Sequence, residues 1–190
     1  TENWTLDGNV GRYFQLPPFT ALGYTGIDGD NRSLRFIQAD HYVIGSTRFL
    51  PWNAKASVEG FYKSYQYYPL LLRDSISLAT LGGDFGVIGN QLATPTSTGR
   101  AYGAEFTYQQ KLFKGIFGIA AITLVRSEFA DFFGDYIPSS WDNRMIATFT
   151  FGKKFAKNWE LGGQYQHLGG APYTPLDLER SANRQNWDVF

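Results

Sequence analysis

The sequence predicts an all-β protein that forms part of an antiparallel, up-and-down transmembrane β-barrel. Three observations predict this fold class. Seven stretches alternate apolar and polar residues with a period of two, short and long connections between them alternate strictly, and apolar residues are spread evenly over all seven stretches. An odd number of about seven strands cannot close as an ordinary bacterial barrel. Residues 1–190 are therefore predicted to be one part of a single, larger transmembrane β-barrel domain.

The seven alternating stretches define the predicted strands. They run approximately over residues 4–15, 35–50, 55–67, 98–112, 115–128, 140–153 and 158–168. Each has the roughly 9–11 residues that a tilted strand needs to cross a bilayer, or slightly more. The composition agrees with strands, because 17% of the residues are aromatic and 21 are Gly, and aromatic side chains suit a pleated surface.

The alternation assigns most side chains to one of two faces. In the first strand, for example, Leu6 and Val10 point away from the side that carries Asp7, because successive side chains of a strand point to opposite faces. Residues 39–44 and 116–125 carry apolar side chains on both faces, so no facing is predicted there.

The connections between the strands differ in length in a regular way. The short ones are Pro51–Ala54, Phe113–Lys114 and Lys154–Lys157, and the long ones are 17–34, 68–97, 129–139 and 169 onward. A soluble sandwich has no reason to place every long loop at one end, whereas an outer-membrane barrel has short periplasmic turns and long external loops. This ordering is the strongest argument for a membrane barrel.

Two further features favour lipid over a buried core as the partner of the apolar face. Aromatic residues lie near the strand ends, as interfacial girdles require; these are Trp52, Phe113, Trp141, Phe155 and Trp159. The polar face carries charges in mid-strand, which predicts the lumen-facing residues Glu59, Lys63, Glu105, Arg144 and Glu160. The alternative is a soluble lipocalin-like or sandwich fold, since a period of two does not distinguish lipid from a core.

Several classes of function have no support in the sequence. Lys+Arg and Asp+Glu balance at 17 each, so no nucleic-acid partner is expected. No Gly-x-Ser-x-Gly motif, phosphate-binding glycine loop or grouped metal ligands occur, so we expect no enzyme, cofactor or metal. The stretch "DGDNRS" is dense in carboxylates and amides but lacks the spacing of an EF-hand, so it is interpreted as a solvated polar turn instead of a calcium loop. The chain has no apolar run long enough for a membrane helix and no signal peptide, and its start at Thr1 suggests a processed product, an engineered chain or a fragment.

Aromatic side chains on the long loops are the predicted ligand-binding residues. They are Phe19, Tyr24, Phe85, Phe132, Phe133, Tyr136 and Tyr173. Aromatic residues on loops above a rigid scaffold are good binding groups. The alternative is that they pack against each other or lie in the outer membrane interface.

An ordered series of phrases resembles the barrel of TonB-dependent outer-membrane receptors of the Bacteroidota type. The phrases include "GRYFQLPPFTALGY" (11–24), "SVEGFYKSYQYYP" (57–69), "GRAYGAEFTYQQKLF" (99–113) and "SSWDNRMIATFTFGKKF" (139–155). They occur in the order in which such receptors present strands in their C-terminal part. Together they cover most of the chain, although each phrase alone is weakly specific.

The resemblance implies a barrel of about 22 strands that is filled by an N-terminal plug domain. Such a receptor binds a scarce nutrient with its external loops and imports it with energy delivered by TonB, in some cases beneath a surface lipoprotein. The chain departs from this pattern because the plug domain and the remaining strands are absent, and residues 180–190 lack the alternation of a closing strand. The lumen-facing charges would then pair with the plug or, alternatively, line a substrate path.

Two other functions remain open at this point. One is a small self-contained outer-membrane barrel that acts as a structural protein or an adhesin. The other is a soluble β binding module. The expected location for the preferred function is the bacterial outer membrane, where the apolar face meets lipid.

Overall fold

The computed structural model describes residues 3–81, 87–173 and 182 and shows an all-β protein. The helical elements of the described residues are short: α1 (Phe19–Leu22) and two 3₁₀ turns, Leu78–Thr80 and Ala156–Asn158. None of the described helices has the length and apolar character that a membrane crossing by a helix requires.

Eleven strands occur in the described residues. In chain order they are β1 (Trp4–Gln15), β2 (Thr25–Gly26), β3 (Gly29–Asp30), β4 (Ile37–Leu50), β5 (Ala54–Leu71), β6 (Ile76–Ser77), β7 (Ala93–Phe113), β8 (Ile116–Ala130), β9 (Tyr136–Pro138), β10 (Met145–Lys154) and β11 (Glu160–Leu168).

Seven long strands form one continuous antiparallel sheet in the order β1-β4-β5-β7-β8-β10-β11. Each long strand pairs with the next long strand along the chain, so the predicted up-and-down arrangement is confirmed. The short strands β6 and β9 extend this sheet at β5 and β8, and β2 pairs with β3 in a separate hairpin. The sheet is not a closed barrel, because β1 and β11 form no ladder with each other in the described part of the chain.

Several predicted strand boundaries are wrong: β7 begins at Ala93 and not at residue 98, and β5 ends at Leu71 and not at residue 67. The sixth stretch was expected to begin at residue 140, but β10 begins at Met145. The preceding Arg144 has a left-handed backbone with φ of 62°, and Asp142 is fully buried in a turn. Arg144 therefore lies outside the strand, and the alternation that assigned it to the lumen does not apply to it.

The strand register separates the side chains of the sheet into two faces. Directly paired residues project to the same side of an antiparallel sheet. One row of partners across five strands is Leu6, Ser46, Val58, Phe106 and Ile122, and the adjacent row is Asp7, Gly45, Glu59, Glu105 and Thr123. We call the side of the first row the apolar face and the side of the second row the polar face.

The register also resolves the two stretches for which no facing was predicted. Ile44 pairs with Gly60, and Leu124 pairs with Ala104, so Ile44 and Leu124 both belong to the apolar face. Val43 and Thr123 point to the polar face.

The apolar face is uncovered by any other part of the described chain. Leu6 is 78% exposed, Leu124 54% and Phe151 58%. Leu161 and Tyr165 on β11 are exposed as well. In the described residues, the apolar face of β10 and β11 is therefore not the inner side of a sandwich. Within the described residues this sheet is a single layer, and no second sheet packs against its apolar side chains.

Glycines opposite aromatic rings shape the sheet. Directly paired across strands are Gly103 with Phe61 and Gly152 with Phe117. A Cβ at either glycine would overlap the partner's ring. The ring thus covers the backbone of the facing glycine, an arrangement that helps to fix the register of the paired strands.

Two of the three short connections are tight hairpin turns. Lys114 and Gly115 both have positive φ, and so do Trp52 and Asn53, as the two central residues of a type I′ turn require. The Trp52 ring stacks on Phe113, with ring centroids 5.9 Å apart. This stack joins two neighbouring turns at the end of the sheet, which we call the turn end.

Candidate functional site

The three long connections gather at the other end of the sheet and pack on one another. We call them the loop cap, residues 16–36, 72–81 with 87–92, and 131–144. The hydrophobic cluster of the described residues lies at the base of the cap, where Ala21, Leu34 and Leu78 from its loops pack with Leu71 at the end of β5 and Ala93 at the start of β7. Burying these side chains stabilises the loops as a folded layer, so the cap presents a defined surface.

Asn31 joins the first two loops of the cap. Its side chain is fully buried. The Nδ2 group donates to the carbonyl oxygens of Ala21 (2.9 Å) and Gln91 (3.1 Å), and Oδ1 accepts from the amide of Ala93 (2.8 Å). The side-chain amide therefore satisfies three backbone groups that would otherwise be buried without partners.

Polar contacts extend the cap to the third loop. Gln91 Nε2 donates to Asp74 Oδ2 (2.6 Å) within the second loop. The amide of Ser140 donates to the carbonyl oxygen of Ala79 (3.0 Å), and the amide of Phe132 donates to that of Ser75 (3.0 Å). All three loops are thus linked by hydrogen bonds.

The structure places the predicted loop aromatics in different surroundings. Phe19 and Tyr173 are strongly exposed, and Phe85 lies outside the described residues. Phe132 and Phe133 are in edge-to-face contact, with centroids 5.6 Å apart. They form the one ring pair among the predicted loop aromatics that the structure describes.

Tyr24 and Tyr136 are engaged by neighbouring polar side chains. Tyr24 Oη donates to Asp28 Oδ1 (2.6 Å), and this hydrogen bond to a carboxylate raises the pKa of Tyr24. Tyr136 lies in β9 beneath the guanidinium of Arg100, 4.4 Å from its ring centroid. These two rings are held by internal contacts, whereas Phe19, Phe133 and Tyr173 are accessible to a ligand.

Four of the five predicted lumen-facing residues lie on the polar face. They are Glu59, Lys63, Glu105 and Glu160. Arg144 does not join them, because it lies in the loop cap with Nε 3.8 Å from Asp142 Oδ2. Glu160 forms an ion pair with Lys154 at 3.6 Å.

The register brings three carboxylates of the polar face into one row, which sequence reasoning did not predict. Glu59 is directly paired with Glu105, and Gly45 separates Glu59 from Asp7. Glu105 accepts hydrogen bonds from Thr107 (3.4 Å) and Thr123 (3.1 Å). None of the three takes part in the ion pairs of the described residues. Like charges directly opposed are destabilising, so this acidic row favours a cationic partner.

A pocket of about 550 Å³ lies near the loop cap, and sequence reasoning missed it. Residues of the polar face form much of its lining, among them Tyr13, His41, Tyr65 and Phe129. The rings of Tyr13 and His41 are 4.6 Å apart, and those of Tyr65 and Phe129 are 5.3 Å apart. We call it the aromatic pocket.

A strand irregularity completes this pocket. The β5–β7 register shifts between Tyr65 and Tyr68, and Tyr67 has a positive φ of 59°. Such a bulge redirects a side chain. Tyr68 accordingly packs edge-on against Phe129, with centroids 4.6 Å apart.

The packing of Tyr68 against Phe129 requires a glycine at position 99. A Cβ at Gly99 would overlap the ring of the buried Phe129. We expect Gly99→Ala to lower the free energy of unfolding by about 1–3 kcal/mol, as overpacking does. Denaturant unfolding, with near-UV circular dichroism of the aromatic rings, measures the effect.

Gly60 provides the matched control for this prediction. It lies in the same sheet, and a Cβ there would meet nothing within 4 Å. Gly60→Ala should leave stability unchanged or raise it by about 0.4–1 kcal/mol. Equal effects of the two alanines would show that Gly99 has no packing role.

The described residues contain no group of three or more His, Asp or Glu side chains that is placed to hold a metal ion. In the stretch with calcium-like composition, Asp28 accepts from Tyr24, and Asp30 accepts from the backbone amide of Arg32 (2.9 Å). These carboxylates organise a turn of the loop cap.

Comparison with known proteins adds no family to this description. A scan against protein-family models finds no matching family, and a search of curated proteins finds no match.

Proposed function

We propose that this chain is part of the wall of a transmembrane β-barrel in the bacterial outer membrane, and that the barrel is a TonB-dependent nutrient receptor. The uncovered apolar face carries this proposal. A single-layer sheet that exposes Leu6, Leu124 and Phe151 to water would present a large apolar patch, which soluble monomers rarely do. Acyl chains are the natural cover for such a face.

The dimensions of the apolar face fit a bilayer. On β5 the residues of this face from Tyr62 towards the turn end are Gly60, Val58, Ala56 and Ala54, all without charge. Tyr62 and Ala54, the first residue of the strand, are eight residues apart, or about 26 Å at roughly 3.3 Å per residue. A strand tilt of about 35–45° reduces this to about 20 Å, and the Trp52 ring beyond Ala54 extends the band towards the height of about 25 Å that outer-membrane barrels have.

Aromatic residues bound this band at both ends. Tyr42, Tyr62 and Tyr102 are cross-strand neighbours on the apolar face, with centroids 6.4 and 6.5 Å apart. The Trp52–Phe113 stack lies at the turn end. Amphipathic rings at both borders are typical of membrane interfaces.

The polar face and the loop cap support a role as a receptor. The acidic row of Asp7, Glu59 and Glu105 offers cationic groups of a plug domain a place to pair. The loop cap, with exposed Phe19 and Phe133, forms the outward surface that captures the nutrient. The aromatic pocket near the cap gives a bound nutrient a path to the lumen.

The two other functions receive less support from the fold. A soluble module would need a cover for the apolar face within the chain. A self-contained barrel would need a closed sheet, whereas the described strands form an open one.

Cysteine scanning along β5 tests the proposed membrane wall, since the chain has no Cys of its own. Single cysteines are placed at positions 57 to 60 of the intact protein in vesicles. We expect an impermeant, water-soluble maleimide to label positions 57 and 59, which face the hydrated space between wall and plug, and to spare positions 58 and 60, which face lipid. A cysteine at Ile27, which is fully exposed in the loop cap, is the positive control. Equal labelling of all four positions would contradict a lipid-facing surface.

A second arm of the same experiment tests the plug. A photo-crosslinker attached to a cysteine at position 105 should capture a segment of the same polypeptide from outside residues 1–190. A crosslinker at position 106, on the apolar face, should capture lipid instead. A failure of position 105 to capture protein would count against a plugged receptor but would leave the membrane wall intact.

A further inference from the structure

Three arginines lie together at the cap end of the apolar face. Register places Arg100 and Arg126 on this face, since Arg100 pairs with Ser64 and Arg126 with Tyr102. Arg144, from the loop cap, lines the same open groove as these two side chains. This arginine cluster stands where the apolar band ends.

Two acidic side chains hold the arginines in place without neutralising them. Glu128 contacts Arg100 (2.8 Å) and Arg126 (3.0 Å), and Asp142 lies 3.4 Å from Arg126. Asp142 is fully buried and anchored by the backbone amide of Ser127 (2.9 Å). Three guanidinium groups thus share two carboxylates, which leaves an excess positive charge.

Arg144 is the arginine of this cluster whose guanidinium is most available to bind an anion. Its side chain is 68% exposed, and its ion-pair contact in the described residues is the 3.8 Å approach to Asp142. A guanidinium offers five N–H donors in a planar fork that matches phosphate oxygens. Arg144 can therefore donate to an anion without breaking a short internal contact.

Apolar side chains continue the groove away from the arginines. The groove has a volume of about 850 Å³, and its lining includes Tyr62, Tyr102, Ala104 and Leu124. These residues belong to the band that we propose faces acyl chains. A ligand in this groove would meet cations at its head and an apolar surface along its tail.

We propose that the arginine cluster binds the phosphate group of an outer-leaflet lipid, whose acyl chain lies along Tyr102 and Leu124. The charge excess and the adjoining apolar groove together select a phosphorylated amphiphile over a free anion or a neutral lipid. This inference rests on the proposed function, because it requires the apolar face to meet lipid.

Native mass spectrometry of the intact protein in dodecyl maltoside tests the site. The probes are phosphatidic acid and diacylglycerol with the same acyl chains, and inorganic phosphate is the competitor. We expect the wild type to retain phosphatidic acid in preference to diacylglycerol. Arg144→Gln should weaken phosphatidic acid binding about fivefold, the effect of one arginine at an anionic lipid surface, and Arg100→Gln should also weaken it.

Arg32→Gln is the control, since it removes an exposed arginine of the loop cap outside the groove and should leave lipid retention unchanged. Equal retention of the two lipids, or no effect of Arg144→Gln, would overturn the inference. Displacement of phosphatidic acid by millimolar phosphate would overturn it as well, because the site would then bind the free anion. Flotation with vesicles tests the proposed function separately: a wild type that does not float refutes the membrane wall itself.

Discussion

Asn31→Asp should destabilise the packing of the loops in the cap while leaving the sheet folded. The substitution keeps the shape of the side chain but replaces Nδ2, which donates to the carbonyl oxygens of Ala21 and Gln91, with an acceptor oxygen. Two buried carbonyl groups then face a carboxylate, and each unsatisfied buried group costs about 1–3 kcal/mol. We expect the cap to lose about 3 kcal/mol of local stability. Hydrogen exchange of the Ala93 amide, which donates to Asn31 Oδ1, should accelerate about a hundredfold.

Asn90→Asp is the matched control for this experiment. Asn90 is exposed in the same loop cap, so the change adds the same charge without removing a buried donor. Exchange at Ala93 should remain near the wild-type rate. If both aspartates accelerate exchange equally, charge and not hydrogen bonding holds the loops together, and the role assigned to Asn31 is wrong.

The contacts of Asn31 bear on the ligand capture that we propose for the loop cap. The exposed Phe19 lies on α1, two residues before Ala21 of the cap cluster. Opening the Asn31 contacts would release this segment from the second loop. In the proposed receptor, the folded cap would hold its exposed aromatics in a preorganised arrangement, which lowers the entropic cost of binding a nutrient.

The alternation of apolar and polar residues predicts the strands of this protein well where the alternation is unbroken. The first strand was expected at residues 4–15 and is Trp4–Gln15. The start of β10 was missed because Asp142 accepts a hydrogen bond from the amide of Ser127, a contact with another strand that holds residues 141–144 in a turn. The alternation of apolar and polar residues in 140–153 carries no information about such a tertiary contact.

The start of β7 was missed for a related reason. Residues 93–97 contain Pro95 and resemble a loop, since Pro cannot donate to a sheet ladder. The structure nevertheless continues the strand to Ala93, which pairs with Leu71. Asn31 accepts from the backbone amide of Ala93, so a side chain 62 positions away supports this strand end.

The candidate site was predictable only in part. Alternation placed Glu59 and Glu105 on one face, and the register confirms this, but only the register shows that they are direct neighbours. The stretch around Asn31 was interpreted as a polar turn because its composition is that of a turn. Its role in joining two loops depends on partners about sixty residues along the chain, which composition does not report.

Val58→Arg should destabilise the protein strongly in a bilayer, and only there. Val58 lies on the apolar face between Ser46 and Phe106, near the middle of the band that Tyr62 and the turn end bound. An arginine at the bilayer midplane of an outer-membrane barrel costs about 2–4 kcal/mol. Reversible denaturant unfolding from vesicles should show this loss as a lower midpoint with an unchanged slope.

Ser57→Arg on the opposite face separates lipid exposure from a general effect of charge. Ser57 is next in the chain and pairs with Thr47 and Thr107, so an arginine there projects to the polar face, close to Glu59. Its effect should stay within about 0.5 kcal/mol, as for an ordinary surface substitution. If the apolar face were wetted by water in the native protein, Val58→Arg would be equally mild, because an arginine on an exposed strand is well solvated. A difference of several kcal/mol between two adjacent positions that differ only in the face of the sheet therefore requires a hydrocarbon environment on one side.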